Sequence, residues 1–425
     1  MCNGFSDCKT PLSNNYFANL SKTNIKLQQI LLYFAVFVLL LMFPSSAKIA
    51  FAEGSSESVM DGKIEEELGG ATKDILDGIN FSEVDNIFAD FNISLEGYDG
   101  DFSSYVSKLI AGDVEFSFDD VLGIISSEFV TVIKGVISPL LMILAIILLC
   151  NLMNTLKSRS LSNSVSEVIS FICLSVVIII VSVLVKDVID VCKNSVEAMV
   201  SQFNVVSPII VTLLTTIGAS ASVSSIGTGL VFFSGTMMNI FREILFPIFT
   251  FVVLINIISK VTKNNRLDKM SSFFHSGFKW ILSTTCTIFM ALLSFHGLTA
   301  GAKDGLSVKA AKFAIKNYVP LLGGYISDGF EVVKAGSILV KNAIGFASVI
   351  LLFFTIIKPI VYIAILSLGL RLVSATTDIV DDMKINSILS NIADAMKLLT
   401  AILIGVACMY FFLMMTLIST GNVIG

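Results

Sequence analysis

The sequence predicts an all-α fold, a polytopic helical membrane protein, on three observations. Of the 425 residues, 55% are hydrophobic and only 14% are charged, against about 25% charged in ordinary soluble domains. Apolar runs of membrane length recur from about residue 136 to the C-terminus. Charge is also segregated: residues 1–52 carry +3, residues 53–128 carry -16 and residues 129–425 carry +8. These blocks set three regions: an N-terminal cleavable signal peptide (1–52), an acidic exported helical region (53–128) and a multi-span membrane domain (129–425). The last is expected to hold roughly 6–8 membrane segments, some broken or re-entrant.

The first 29 residues are polar, with Lys22 and Lys26 ahead of the apolar run Ile30–Phe43. A run of about 14 residues is short for a span and fits a signal h-region. Ala50-Phe51-Ala52 makes the small-x-small pattern of a cleavage site, so cleavage is expected after Ala52, with Ala47 as the second choice and an uncleaved anchor as the third. In each case the acidic region is exported.

In the acidic region, Ile75, Leu76 and Ile79, then Val84, Ile87, Phe88 and Phe91, recur at helical spacing. Ser82 with Asp85 suggests a cap for the second helix. Leu109-Ile110-Ala111-Gly112 ends a third helix, and Phe118–Phe129 leads into the membrane. The region contains no histidine, which removes a histidine-based catalyst. Its acids read as a solvated face, or as a docking surface for a basic partner.

Spans are expected at about 136–153, 165–185, 205–258 (as one pass or three), 280–300, 346–368 and 398–418. Lys157 and Arg159 stand alone after the first span, so that loop is cytoplasmic by the excess of positive charge. Lys186–Phe203 is mixed in charge and is expected at the outer interface. The small-residue run from Gly218 to Gly229 marks close helix packing or a broken helix. Arg242 and Glu243 interrupt the next apolar stretch, as a structural intramembrane pair across neighbouring helices or as a helix end. The loop Lys260–Lys279 carries net +4 and is again cytoplasmic. Trp280 stands where an interfacial aromatic belongs. Residues 374–397 form an amphipathic connector to the last span.

Several chemistries lack their residues. No phosphate-loop, GxSxG or HExxH pattern occurs, so no catalytic residue and no enzyme are expected. His275 and His296 are the only histidines and lie about 30 Å apart on a continuous helix, too far to share a metal. Asp381-Asp382 lacks companion ligands. The seven cysteines form no CxxC pair and read as small buried hydrophobes, with no disulfide framework. No metal, no cofactor and no nucleic-acid partner are expected.

The region 303–345 is the most polar part of the C-terminal half. Lys309, Lys312 and Lys316 share one helical face, and Lys303 and Asp304 precede them. Pro320 and Gly323-Gly324 break the chain. Asp328, Glu331, Lys334 and Lys341 form a second polar stripe. These seams read as interfacial helices with lysines in water, or as faces toward a partner or an aqueous path. Their side is ambiguous: counting from the +4 loop puts them outside, while their lysines argue for inside.

The run AKDGLSVKAAKFAIKNYVPLLGG followed by SDGFEVVKAGSILVKNAIG resembles the stage III sporulation protein AE family of endospore-forming bacteria. The resemblance covers nearly the whole chain. The long polar stretch of residues 1–21 departs from the family's pattern. The resemblance implies a membrane subunit of a secretion-like channel complex between mother cell and forespore, in the mother-cell-derived outer forespore membrane. Its partners would be the lipid bilayer, the other subunits of the same sporulation operon and a forespore-side channel partner, in a hetero-oligomeric complex. The residues alone leave a second class open, a secondary permease for a small polar solute. Lys303, Asp304, Lys309, Lys312, Asp328, Glu331, Lys334 and Lys341 are the candidate assembly or pore-lining positions.

Overall fold

The computed structural model describes residues 62–90, 101–113, 118–160, 163–219, 222–224, 227, 235–236, 239–262, 265–318, 323–379 and 383–421. The signal-like start, with Ala47 and Ala52, lies outside them, as do Pro320, Asp381 and Asp382. The chain is an all-α polytopic membrane protein, and no strand occurs among the described residues. Among the described residues, six helical stretches are long and apolar enough to cross a bilayer: Ile125–Cys150, Val168–Thr216, Ile240–Thr262, Leu267–Ser294, Gly329–Thr377 and Ile385–Ser419.

Three short helices come first among the described residues: α1 (Gly62–Asp77), α2 (Ser82–Asp90) and α3 (Phe102–Ala111). Their apolar residues at helical spacing include Leu76, Phe81, Val84, Phe102, Tyr105, Val106 and Leu109, all buried. The Phe81 and Phe102 rings lie 5.3 Å apart. Burial pushes the Tyr105 phenol well above its usual range. Asp101 caps α3 by accepting from the Ser103 and Ser104 amides at 3.2 and 3.1 Å. Gly112 ends α3 at φ +76°, a left-handed backbone that glycine adopts without strain. The Asp85 carboxylate accepts from the Phe102 amide at 2.7 Å and ties α2 to the start of α3.

The long helices are α4 (Phe118–Ser160), α5 (Asn163–Thr216), α6 (Phe246–Thr262), α7 (Asn265–Tyr318), α8 (Gly323–Ile379) and α9 (Met383–Ser419). A six-residue π-helical turn, Ile240–Leu245, opens α6. The expected connectors turn out to be extensions of the spans. Lys186–Phe203 continues α5 without a break, because Val188, Ile189, Cys192, Val196, Met199 and Phe203 recur at helical spacing and are buried. Likewise 303–318 continues α7, and 374–379 continues α8. At 57 residues, α8 is about 86 Å long, nearly three times a bilayer's hydrocarbon thickness of about 30 Å.

Helix α8 is central. Half of its apolar window is buried, against 17% for the window in α7 and 22% for that in α4. It packs along α9, α5 and α4. Side-chain bonds set its register with α9: Ser367 donates to the Ala393 carbonyl at 3.2 Å, and Ser374 donates to Asn386. The α6–α7 turn is held by Lys260, 3.1 Å from Asp268, and by Ser259 donating to the same carboxylate.

Helix α1 packs on α8 at Gly336, where an added Cβ would lie 3.4 Å from Ile75 Cδ1 and 3.6 Å from Thr72 Cγ2. The N-terminal part of α8 and the acidic helices therefore share one end of the bundle. The start of α8 lies beside the acidic helices.

Candidate functional site

The two seams have different surroundings. The first, with Lys303, Asp304, Lys309 and Lys312, lies on the last turns of α7, beyond its apolar run. The backbone there is helical as far as Tyr318, and α8 begins at Gly323. Pro320 lies outside the described residues, and Gly323 and Gly324 open α8. Asp328 is in the first turns of α8.

The second seam divides on its own helix. Glu331 is exposed, whereas Lys334 is 8% exposed and Lys341 is fully buried. The Lys341 ammonium donates to the carbonyls of Ile418 at 2.6 Å and Thr420 at 2.5 Å. Those carbonyls belong to the last turn of α9 and the residue just after it, where helix geometry leaves oxygens without intrahelical donors and the helix dipole is negative. A buried lysine here supplies what the helix end lacks. Gly345, one turn further, lets α9 approach, since an added Cβ would collide with the Ile418 side chain.

The polar stripe then continues deeper than the charges alone suggest. Lys334, Lys341, Ser348 and Thr355 stand seven residues apart on α8, and all four are buried. Ser348 donates to the Gly345 carbonyl at 2.6 Å. Thr355 accepts from Gln202 Nε2 on α5 at 2.7 Å and itself donates to Leu351 O at 2.9 Å. Gln202 is fully buried, and its Oε1 has no hydrogen-bond partner among the described residues. Beside it, Phe203 meets Tyr410 of α9 edge to face, with centroids 5.7 Å apart. The outcome is an internal polar seam between α5, α8 and α9. Sequence reasoning placed Lys334 and Lys341 on it but missed Gln202, Ser348 and Thr355. The seven-residue spacing was the available signal.

Arg242 and Glu243 sit in the π-helical turn that opens α6. Arg242 lies 3.4 Å from Glu197 of α5 and 3.5 Å from Glu243. Lys193, one turn before Glu197, sits 5.8 Å from the centre of the Phe246 ring. These exposed contacts join α5 to the start of α6 and contribute modestly. The described cysteines form no disulfide among the described residues, and Cys150, Cys173 and Cys192 are buried. Among the described residues no group of His, Cys, Asp or Glu is placed to hold a metal ion.

Comparison with known proteins gives two positive findings. A family model described as stage III sporulation protein AE matches residues 100–421. The chain is also similar to the stage III sporulation protein AE of Bacillus subtilis (strain 168), at 23% identity over 234 residues, which is 55% of this chain and 59% of that protein. The matched part thus spans less than two thirds of that relative's length. No solved structure matches.

Proposed function

The chain belongs to the stage III sporulation protein AE family, and on that premise we propose that it is a membrane subunit of the channel complex linking mother cell and forespore after engulfment. In this reading it resides in the mother-cell-derived outer forespore membrane. Residues 1–52 are removed as a signal peptide, and the acidic helices face the intermembrane space. Sister subunits of the same operon and a forespore-side channel protein are its partners. Its role is in assembly, without catalysis.

The family match across residues 100–421 carries this reading. The fold supports it in one respect. The first seam is an extension of α7 beyond its apolar run, at the end of the bundle where the acidic helices pack on α8. A helical extension beyond the apolar run is suited to contacts with other proteins. Lys303, Asp304, Lys309 and Lys312 are accordingly the proposed assembly positions, with Asp328 and Glu331 beside them. Lys334 and Lys341 support them from inside.

The test is thiol accessibility at positions 309 and 312, in sporulating cells whose native cysteines are replaced. A membrane-impermeant reagent should label both sites when the sister subunits are deleted and neither when they are present. The permease alternative draws on Gln202, whose buried Oε1 lies between helices. Labelling indifferent to sister subunits but blocked by a small solute would replace the assembly reading with the permease.

A further inference from the structure

At the bundle end opposite the acidic helices, basic side chains from three helices converge. Arg371 of α8 lies 2.8 Å from Asp394 of α9, and Lys397 lies 2.8 Å from the same carboxylate oxygen. Lys279 of α7 is within electrostatic reach of Lys397, and His275, one turn before it, feels both lysines and Asp394. Among the described residues, Asp394 holds Arg371 and Lys397 in place, one carboxylate against their two positive charges.

Its level in the bilayer is fixed by sequence and packing together. Lys279 immediately precedes the apolar run 280–300, Lys397 immediately precedes 398–418, and Arg371 follows 346–368. Helix α8 runs antiparallel to the other two, so all three cations lie at one membrane boundary. Trp280, the neighbour of Lys279, is 70% exposed, as an interfacial aromatic should be. Arg371 is flanked on its own helix by Leu368 and Leu372, which are 63% and 62% exposed. A half-exposed guanidinium between two bare leucines faces a ligand with an anionic head and apolar chains.

We propose that Lys279, Arg371 and Lys397 form a headgroup site for an anionic phospholipid, with Leu368 and Leu372 against its acyl chains. The guanidinium fork suits two oxygens of a phosphodiester, and the ammonium groups add point charges around it. Asp394 is a positioning residue that orders Arg371 and Lys397. Basic clusters at the ends of membrane helices attract anionic lipids for this electrostatic reason.

The chain contains a single tryptophan, so Trp280 reports on this boundary alone. The full chain is reconstituted in phosphatidylcholine bilayers containing brominated phosphatidylglycerol, and in the reverse labelling, and quenching of Trp280 gives the relative affinity of the two lipids. Phosphatidylglycerol should be preferred. The preference should fall about fivefold for each basic residue removed, in Lys279→Gln and in Arg371→Gln/Lys397→Gln. Lys279→Gln leaves both contacts of Asp394 in place, so it decides the matter if the double variant does not reconstitute. Equal quenching by both lipids, or a preference unchanged in Lys279→Gln, overturns the proposal. So does loss of the preference on adding glycerol phosphate at constant ionic strength, which would assign the site to a soluble phosphate.

Discussion

Lys341 and Thr420 are 79 residues apart in the chain, yet the ammonium of one lies 2.5 Å from the carbonyl of the other. A cation 0% exposed completes the hydrogen bonding of the last helix at the point where the backbone cannot complete its own. Removing it should free the end of α9. Lys341→Met keeps the stem's packing and deletes the charged donor. We expect a loss of about 1–3 kcal/mol, the cost of stranding buried acceptors. Faster hydrogen exchange should be confined to residues 415–421. Unchanged exchange there would remove the capping role.

Gly345 and Ile418 set the approach of the same two helices. Gly345→Ala should lower thermal stability by about 1–3 kcal/mol through overpacking, because the β-branched Ile418 has few rotamers in which to yield. Ile418→Ala in the same chain should recover part of the loss. Two additive losses in a double-mutant cycle would show that the residues do not meet.

Gln202 and Thr355 make the buried bond between α5 and α8. Thr355→Val alone removes the Gln202 amide's acceptor and should cost about 1–3 kcal/mol. Adding Gln202→Leu replaces the stranded amide with an apolar side chain and should return stability to near the starting value. Measured in detergent by thermal unfolding, a double variant worse than Thr355→Val would mean that Gln202 has a further partner to lose.

Asp101 caps α3 through two amides. Asp101→Ala should destabilise α3 by about 0.5–2 kcal/mol. Limited proteolysis should then cut between residues 101 and 113 before any cut in the membrane helices. If α3 is instead held mainly by Phe102, Tyr105 and Leu109 on its neighbours, the cleavage order will not change.

The packing of α1 on α8 fixes a topology. Single cysteines at the exposed positions Lys73 and Glu331 should react with an impermeant reagent from one membrane face, and a cysteine at Lys269 from the other. Labelling of positions 73 and 331 from opposite faces would refute the placement of α8 beside the acidic helices.

The sequence by itself determined that this is an all-α membrane protein with several apolar segments long enough to span. These properties are local. A bilayer demands about 20 apolar residues in a row whatever the rest of the chain does. Hydropathy could not separate a connector from the extension of a span, as at Lys186–Phe203, because a mixed-charge stretch stays helical when its apolar stripe finds a neighbour. Only the tertiary structure decided that Lys334 and Lys341 turn inward, that Thr355 meets Gln202, and that Lys279, Arg371 and Lys397 lie at one end of the bundle. Spacing shows which residues share a face of a helix. What covers that face is set by helices tens of residues away, and the free energy of a buried charge depends on that cover.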